Sequence, residues 1–253
     1  MPVFLHRSLS AARVAVLLVL GLASAPSSTA AEAYLGRELA QTMSHMGAPW
    51  LTRGERMAEE RPDLLWAALG LEDGDQACDI GSGNGYHTLP MAQAVAPGGR
   101  AFAVDIQVEM LQKLAARADA AGVENITYVH NTQAGVGLAP DTCDLALLVD
   151  VYHELSDPPG MLRSLRAALK PGGELLLVEY RAEDPAVPIK RLHKMSKEQV
   201  HKELTANGFK LVRQLDTLPW QHALFYQRAD GPDPAVEPLP WTPQTPSPSS
   251  TPR

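Results

Sequence analysis

Cys78-Asp79-Ile80-Gly81-Ser82-Gly83-Asn84-Gly85-Tyr86, followed by Arg100-Ala101-Phe102-Ala103-Val104-Asp105, decides how this chain is read. An apolar run ends near an acid, a glycine-rich turn follows, and a second apolar run ends in another acid. That order predicts a strand, a turn, a helix and a second strand. Glycines in the turn let the backbone take positive φ and come close to a ligand. An acid about 20 residues further on accepts hydrogen bonds from ribose hydroxyls. The unit is read as the site of a nucleoside-bearing cofactor.

The glycine spacing narrows the cofactor. Dinucleotide sites use G-x-G-x-x-G and bring a helix N-terminus to a pyrophosphate. Here the glycines are Gly81, Gly83 and Gly85, and position 86 is Tyr. Asp79 before the turn would repel a pyrophosphate and suits a cation carrying an ammonium and a sulfonium. The D-x-G-x-G-x-G pattern resembles motif I of the class I S-adenosylmethionine (SAM) dependent methyltransferases. The resemblance covers about residues 47–229. It implies SAM as cofactor, preferred over NAD, held by Asp79, Gly81, Ser82, Gly83, Gly85, Asp105 and Ile106.

Outward from that turn, strands and helices alternate. Strands are expected at residues 76–80, 100–105, 125–130, 143–149, 174–180, 209–215 and 223–228. Helices are expected at 86–96, 107–121, 157–170 and 196–207. Cys143–Val149 is a continuous apolar run, the mark of a parallel strand buried on both faces. The last two strands are joined by a short turn and must be antiparallel. Such alternation predicts a doubly wound, Rossmann-like α/β fold with right-handed crossovers. The family resemblance implies seven strands in the order 3-2-1-4-5-7-6, mostly parallel. Residues 31–70 are expected to form a helical lid before the domain at 71–229.

The chain has 253 residues, 45% of them hydrophobic, and a net charge of −7. No run of Lys and Arg offsets that charge, which disfavours nucleic acid as a partner. Arg7 and Arg13, the apolar Val14 to Ala23 and Ser28-Thr29-Ala30 read as a cleaved secretory signal over residues 1–30, with no lasting membrane anchor. The expected location is periplasmic or secreted. Residues 230–253 hold eight prolines and are expected to be disordered. Cys78 and Cys143 lie in apolar strand patterns, one near the end of its strand and the other near the start. They are expected at opposite ends of a parallel pair, as free buried thiols.

Ligands in such sheets lie outside the carboxyl ends of the strands, where the strand order reverses. The third strand presents Asn131, Thr132 and Gln133 there, and Thr132 or Gln133 must serve the adenine in place of the acid frequent in the family. The fourth strand ends in Asp150-Val151-Tyr152-His153-Glu154. Asp150 is expected at cofactor and acceptor, with Tyr152 and His153 on the acceptor side. This turn lacks the prolines of a D/N-P-P-Y motif and looks more like that of small-molecule methyltransferases. His153 has two readings: a general base that takes a proton from the acceptor, or a histidine that only hydrogen-bonds the turn. His193 and His222 are candidates for the same pocket, with Asp150 and Glu179. No H-x-x-x-H or C-x-x-C spacing marks a metal. The function expected is methyl transfer from SAM to a small molecule; the alternative is an exported, noncatalytic binding protein of the same fold.

Overall fold

The computed structural model describes residues 33–230. The expected signal segment and most of the proline-rich tail lie outside the described residues. A two-stranded hairpin opens the described chain, β1 (Ala33–Tyr34) with β2 (Arg37–Glu38). A 3-10 segment His45–Thr52 follows, then α1 (Arg56–Glu60) and α2 (Pro62–Ala68). Pro62 sits in the first turn of α2, where its missing N–H costs no helical bond. The hairpin is an addition to the helical reading of this region; two-residue strands carry no periodicity to detect.

The main sheet has seven strands: β3 (Gln76–Ile80), β4 (Arg100–Asp105), β5 (Ile126–His130), β6 (Cys143–Val149), β7 (Leu169–Tyr180), β8 (Phe209–Leu215) and β9 (Gln221–Arg228). Their order is β5-β4-β3-β6-β7-β9-β8. Numbered among themselves, that is 3-2-1-4-5-7-6, as the family resemblance implied. β9 runs antiparallel to both neighbours, and the pairs from β5 to β7 are parallel. β7 starts earlier than expected, because Lys170-Pro171-Gly172-Gly173 continues the strand irregularly after the helix.

Strict alternation splits the core. Ala77, Leu145, Leu147, Leu176 and Val178 face one layer, with Leu65 of α2 and Met91 of α3 (Thr88–Ala94). Cys78, Ile80, Ala146, Leu148, Leu175 and Leu177 face the other, with Leu162 of α5 (Pro158–Ala168) and Leu204 of α6 (Lys197–Ala206). Local chemistry sets the helix ends. Asp157 caps α5 by accepting from the Gly160 amide, and Ser196 caps α6 by accepting from the Gln199 amide. Gly122 closes α4 (Val108–Ala121) at φ 66°.

The cysteines correct the sequence reading. Cys78 and Cys143 form a disulfide, with Cα atoms 5.9 Å apart. The alternation from Leu145 onward would put Cys143 on the opposite face from Cys78. Cys143 nonetheless packs in the Cys78 layer, beside a break in the β6–β7 register between Cys143 and Leu145 where β7 carries the extra residues. A regular parallel register, as assumed from the sequence, does not contain that irregularity.

Candidate active site

The carboxyl edge of the parallel strands gathers the candidate residues. β3 and β6 are neighbours there while their crossovers leave in opposite directions, which opens the crevice. Gly81, Gly83 and Gly85 all have positive φ, at 71°, 53° and 83°. Two of them matter for close approach. A Cβ on Gly81 would meet Val151, and one on Gly83 would meet Leu51. The Gly83 amide donates to Asp105 Oδ2 and the Gln107 amide to Asp105 Oδ1, both at 2.8 Å. Asp105 therefore holds the loop's shape and keeps its remaining lone pairs for a ligand. Burial raises its pKa, against the backbone amides that it accepts from.

Asp79 is buried, and Thr88 Oγ1 donates to it at 2.5 Å. Burial raises its pKa to about 6, Thr88 opposing. Ile106 is exposed beside Asp105, while Thr132 and Gln133 are exposed beyond β5. Three buried polar atoms at this edge have no hydrogen-bond partner among the described residues: Ser82 Oγ after β3, Asn131 Oδ1 after β5 and Asp150 Oδ1 after β6. A buried polar atom left unpaired costs about 1–3 kcal/mol. These atoms call for a polar ligand, and a nucleoside with an amino acid tail supplies such donors.

The residues after β6 diverge. Asp150 is left-handed, at φ 55°, and its Oδ2 accepts from Gln221 Nε2 at 2.7 Å. Burial, then the charges of Glu60 and Glu179, push its pKa well above the usual carboxylate range. Tyr152 turns into the core: its hydroxyl donates to Glu203 Oε2 at 2.8 Å, and Arg37 stands over its ring. There it ties the turn Tyr152–Glu154 to α6. His153 is 2% exposed. Its Nδ1 lies 2.6 Å from Glu179 Oε2 and its Nε2 lies 3.0 Å from His193 Nδ1. Burial lowers the His153 pKa, but Glu179, with Glu154 and Asp150, raises it above the ordinary histidine value. His193 is half-buried and its pKa is lowered, by burial and then by His153.

His153, His193 and Glu179 thus form one chain of contacts. His222 pairs in register with Glu179, yet both its ring nitrogens lack hydrogen-bond partners among the described residues, and burial lowers its pKa to about 3. Two features of the site escaped sequence reading. Glu154 Oε2 accepts the Met43 amide at 3.1 Å, while its Oε1 lies 3.6 Å from His193 Nδ1. Arg56 and Glu60 of α1 are buried against each other at 2.6 Å, and Tyr180 donates to Glu60 at 2.9 Å. A charge-dense helix reads as a solvated face; here Arg56 and Glu60 turn inward instead, onto His87 and Tyr180.

The residues before α2 lie against the glycine loop. Asn84 Nδ2 donates to Ala48 O at 3.1 Å, Gln107 Nε2 donates to Met43 O at 2.9 Å, and the His45 amide donates to Gln107 Oε1 at 2.7 Å.

Comparison with known proteins agrees with this geometry. A family model described as a methyltransferase domain matches residues 71–227. The ubiquinone/menaquinone biosynthesis C-methyltransferase UbiE of Pasteurella multocida (strain Pm70) is 29% identical over 112 residues, 44% of this chain and 42% of that protein. The tRNA 5-carboxymethoxyuridine methyltransferase of Escherichia coli (strain K12) is 30% identical over 137 residues, 51% of each chain. The chain thus spans about half the length of these curated relatives. The crystal structure of a SAM dependent methyltransferase from Aquifex aeolicus superposes with a TM-score of 0.69 at 20% identity, covering 73% of this chain and 98% of that one. SAM is the cofactor that this fold and the glycine loop indicate. By fold, motif and family model, the chain belongs to the class I SAM-dependent methyltransferases.

Proposed function

We propose that the chain transfers the methyl group of SAM to a small-molecule acceptor, with His153 on the acceptor side as general base. The observation that carries this reading is the contact of His153 with Glu179 behind it and His193 in front. A carboxylate on Nδ1 keeps the proton there and leaves the Nε2 lone pair to receive one. The positive charge formed on the ring is stabilised by Glu179. His193 is the partly exposed end of the pair, so it links the buried base to the acceptor.

SAM supplies an already activated methyl group. The chain's own residues bind and align. Asp105 suits the ribose hydroxyls, the glycine loop suits the amino acid tail, and Ser82, Asn131 and Asp150 offer unfilled acceptors. Alignment of nucleophile, methyl carbon and sulfur carries most of the rate enhancement. The segment over the glycine loop and the loop 182–195 are the proposed lids.

The test has two arms. Isothermal titration should show SAM or S-adenosylhomocysteine binding more tightly than NAD, and Asp105→Ala should weaken SAM binding by about 10–150-fold, equivalent to about 1.5–3 kcal/mol. Labelled methyl should then pass from SAM into a small-metabolite pool; labelling of total tRNA instead would replace the acceptor class. His153→Ala should leave SAM binding intact and slow turnover by about 10²–10⁴-fold. Unchanged turnover would make His153 structural.

We also propose that the protein works outside the cytoplasm. The N-terminal sequence supports this, and so does the Cys78–Cys143 disulfide, since such bonds persist in oxidising compartments.

A further inference from the structure

His153, Glu154 and His193 present three ligand atoms to one point. His153 Nε2 and His193 Nδ1 are 3.0 Å apart, His193 Nδ1 and Glu154 Oε1 are 3.6 Å apart, and His153 Nε2 and Glu154 Oε1 are 3.9 Å apart. A single position lies about 2.1 Å from all three atoms, which is the length of a zinc bond to imidazole or carboxylate. We propose that this position binds a divalent transition-metal ion of the zinc class, and that the ion's open coordination position takes an oxygen of the methyl acceptor.

The surroundings are built for an ion. Glu179 Oε2 holds the other nitrogen of His153 at 2.6 Å, so the proton stays on Nδ1 and the Nε2 lone pair is left for an ion. A ligating histidine usually has such a carboxylate behind it. Glu154 is oriented from behind as well, because its Oε2 accepts the Met43 amide and leaves Oε1 for the ion. The His153 carbonyl accepts from Arg37 Nη1 and from the Ala40 amide, both at 3.2 Å, which fixes the backbone of the turn. Without an ion, His153 Nε2 and His193 Nδ1 face each other at 3.0 Å and one of them must carry the proton between them. With one, both lone pairs are used. Glu154 and Glu179 bring two carboxylates to the cluster, whose charge a divalent cation offsets.

The donor set selects the metal. Two imidazoles and one carboxylate suit Zn²⁺, and also Fe²⁺, Co²⁺ or Ni²⁺, whereas Mg²⁺ prefers oxygen alone. Three protein ligands leave a fourth position for water or substrate. The ligands stand at the carboxyl edge of β6 and in the loop after β7, beside the cofactor crevice. An acceptor able to place a hydroxyl or carboxylate oxygen on the ion would be held there, its hydroxyl made more acidic. The inference rests on the acceptor-side placement of this cluster but not on His153 as a base. An ion on Nε2 uses the same lone pair, so a bound ion takes the place of His153 as the group that activates the acceptor, and metal binding is read without turnover.

The experiment uses the full chain without a histidine tag, stripped with chelator and titrated with ZnCl₂, CoCl₂ and MgCl₂. One Zn²⁺ per chain is expected, with Co²⁺ giving the visible absorption of a nitrogen-and-oxygen site and Mg²⁺ binding far more weakly. His193→Ala and Glu154→Gln, both in partly exposed positions, should abolish the Co²⁺ spectrum while thermal melting stays that of a folded protein. Glu179→Gln should weaken Zn²⁺ by about 10–100-fold. His201→Ala, on α6, should bind as the parent does. No stoichiometric Zn²⁺ binding, or binding indifferent to His193→Ala, would overturn the proposal; so would tighter binding of Mg²⁺ than of Zn²⁺. A chain that binds SAM but no Zn²⁺ would defeat the metal site alone, and one that binds Zn²⁺ but no SAM would defeat the methyl-transfer reading alone.

Discussion

Single residues show how burial converts ordinary side chains into sensitive ones. His87 sits beneath the glycine loop, where Trp66 Nε1 donates to its Nδ1 and Arg56 Nη2 approaches its Nε2, both at 3.1 Å. Burial, then the Arg56 charge, lowers its pKa well below the ordinary 6.5. In the unfolded chain the same ring takes a proton near 6.5, so below that pH the unfolded state binds more protons. The stability linked to His87 is complete above about pH 6.5 and is lost as the pH falls below it, by up to about 1.4 kcal/mol per pH unit. Urea unfolding from pH 7.5 to 5 should therefore fall more steeply for the parent than for His87→Gln. Equal slopes would remove His87 from the acid response. Asp105 and Tyr152 make the contrast between neighbouring readings. Asp105 stands where its motif places it, shaping the loop that it serves. Tyr152 stands at the expected turn, yet its hydroxyl is spent on Glu203. Sequence position shows which turn a residue occupies; it does not show which way the side chain leaves it.

Among elements, two couplings can be tested. The Cys78–Cys143 bond joins β3 to the start of β6 and closes a loop with a sequence separation of 65. In the chain-entropy model a loop of that size is worth about 4 kcal/mol. Cys78→Ala/Cys143→Ala, or the parent in reductant, should lose about 2–4 kcal/mol in urea unfolding while keeping SAM affinity. A loss under about 0.5 kcal/mol would mean that the sheet alone sets the register. The second coupling is between the glycine loop and α4. A Cβ on Gly85 would overlap Leu114 Cδ1, and its φ of 83° is strained for any side chain. Gly85→Ala should cost about 1–3 kcal/mol, and adding Leu114→Ala should relieve the overlap but not the strain. Full recovery in the double variant would show that φ has no part in it. Both couplings act close to the cofactor loop, so stability and SAM affinity are measured together.

At the scale of the whole molecule, the described mixed sheet gathers the glycine loop, Asp105, Asp150 and His153 at the carboxyl edge of its parallel strands. If the chain is exported, protein from the native host should begin near Ala31, lie outside the cytoplasm and carry the 78–143 disulfide by mass spectrometry; an intact Met1 in a cytoplasmic fraction, with both cysteines reduced, would reject this. The seven main strands were legible in the sequence, and the family resemblance implied their order. Period-2 and continuous apolar runs are local signals, and glycine–proline stops bound them. The glycine loop was legible for a similar reason: Gly81, Gly83, Gly85 and Asp105 shape the turn of one βαβ unit through its backbone. The histidine–carboxylate cluster proposed for the acceptor was not. His153, Glu154, Glu179 and His193 come from separate elements, and no spacing along the chain encodes their 3–4 Å contacts. The disulfide escaped because the three-residue break in the β6–β7 register beside Cys143 leaves no local mark in the sequence, and the burial of Arg56 and Glu60 escaped because a charged helix face looks the same in sequence whether water or a buried acid lies opposite. Local backbone preference and hydrophobic periodicity determined the fold; the close approach of polar side chains from distant segments was decided only when the sheet brought its strand ends together.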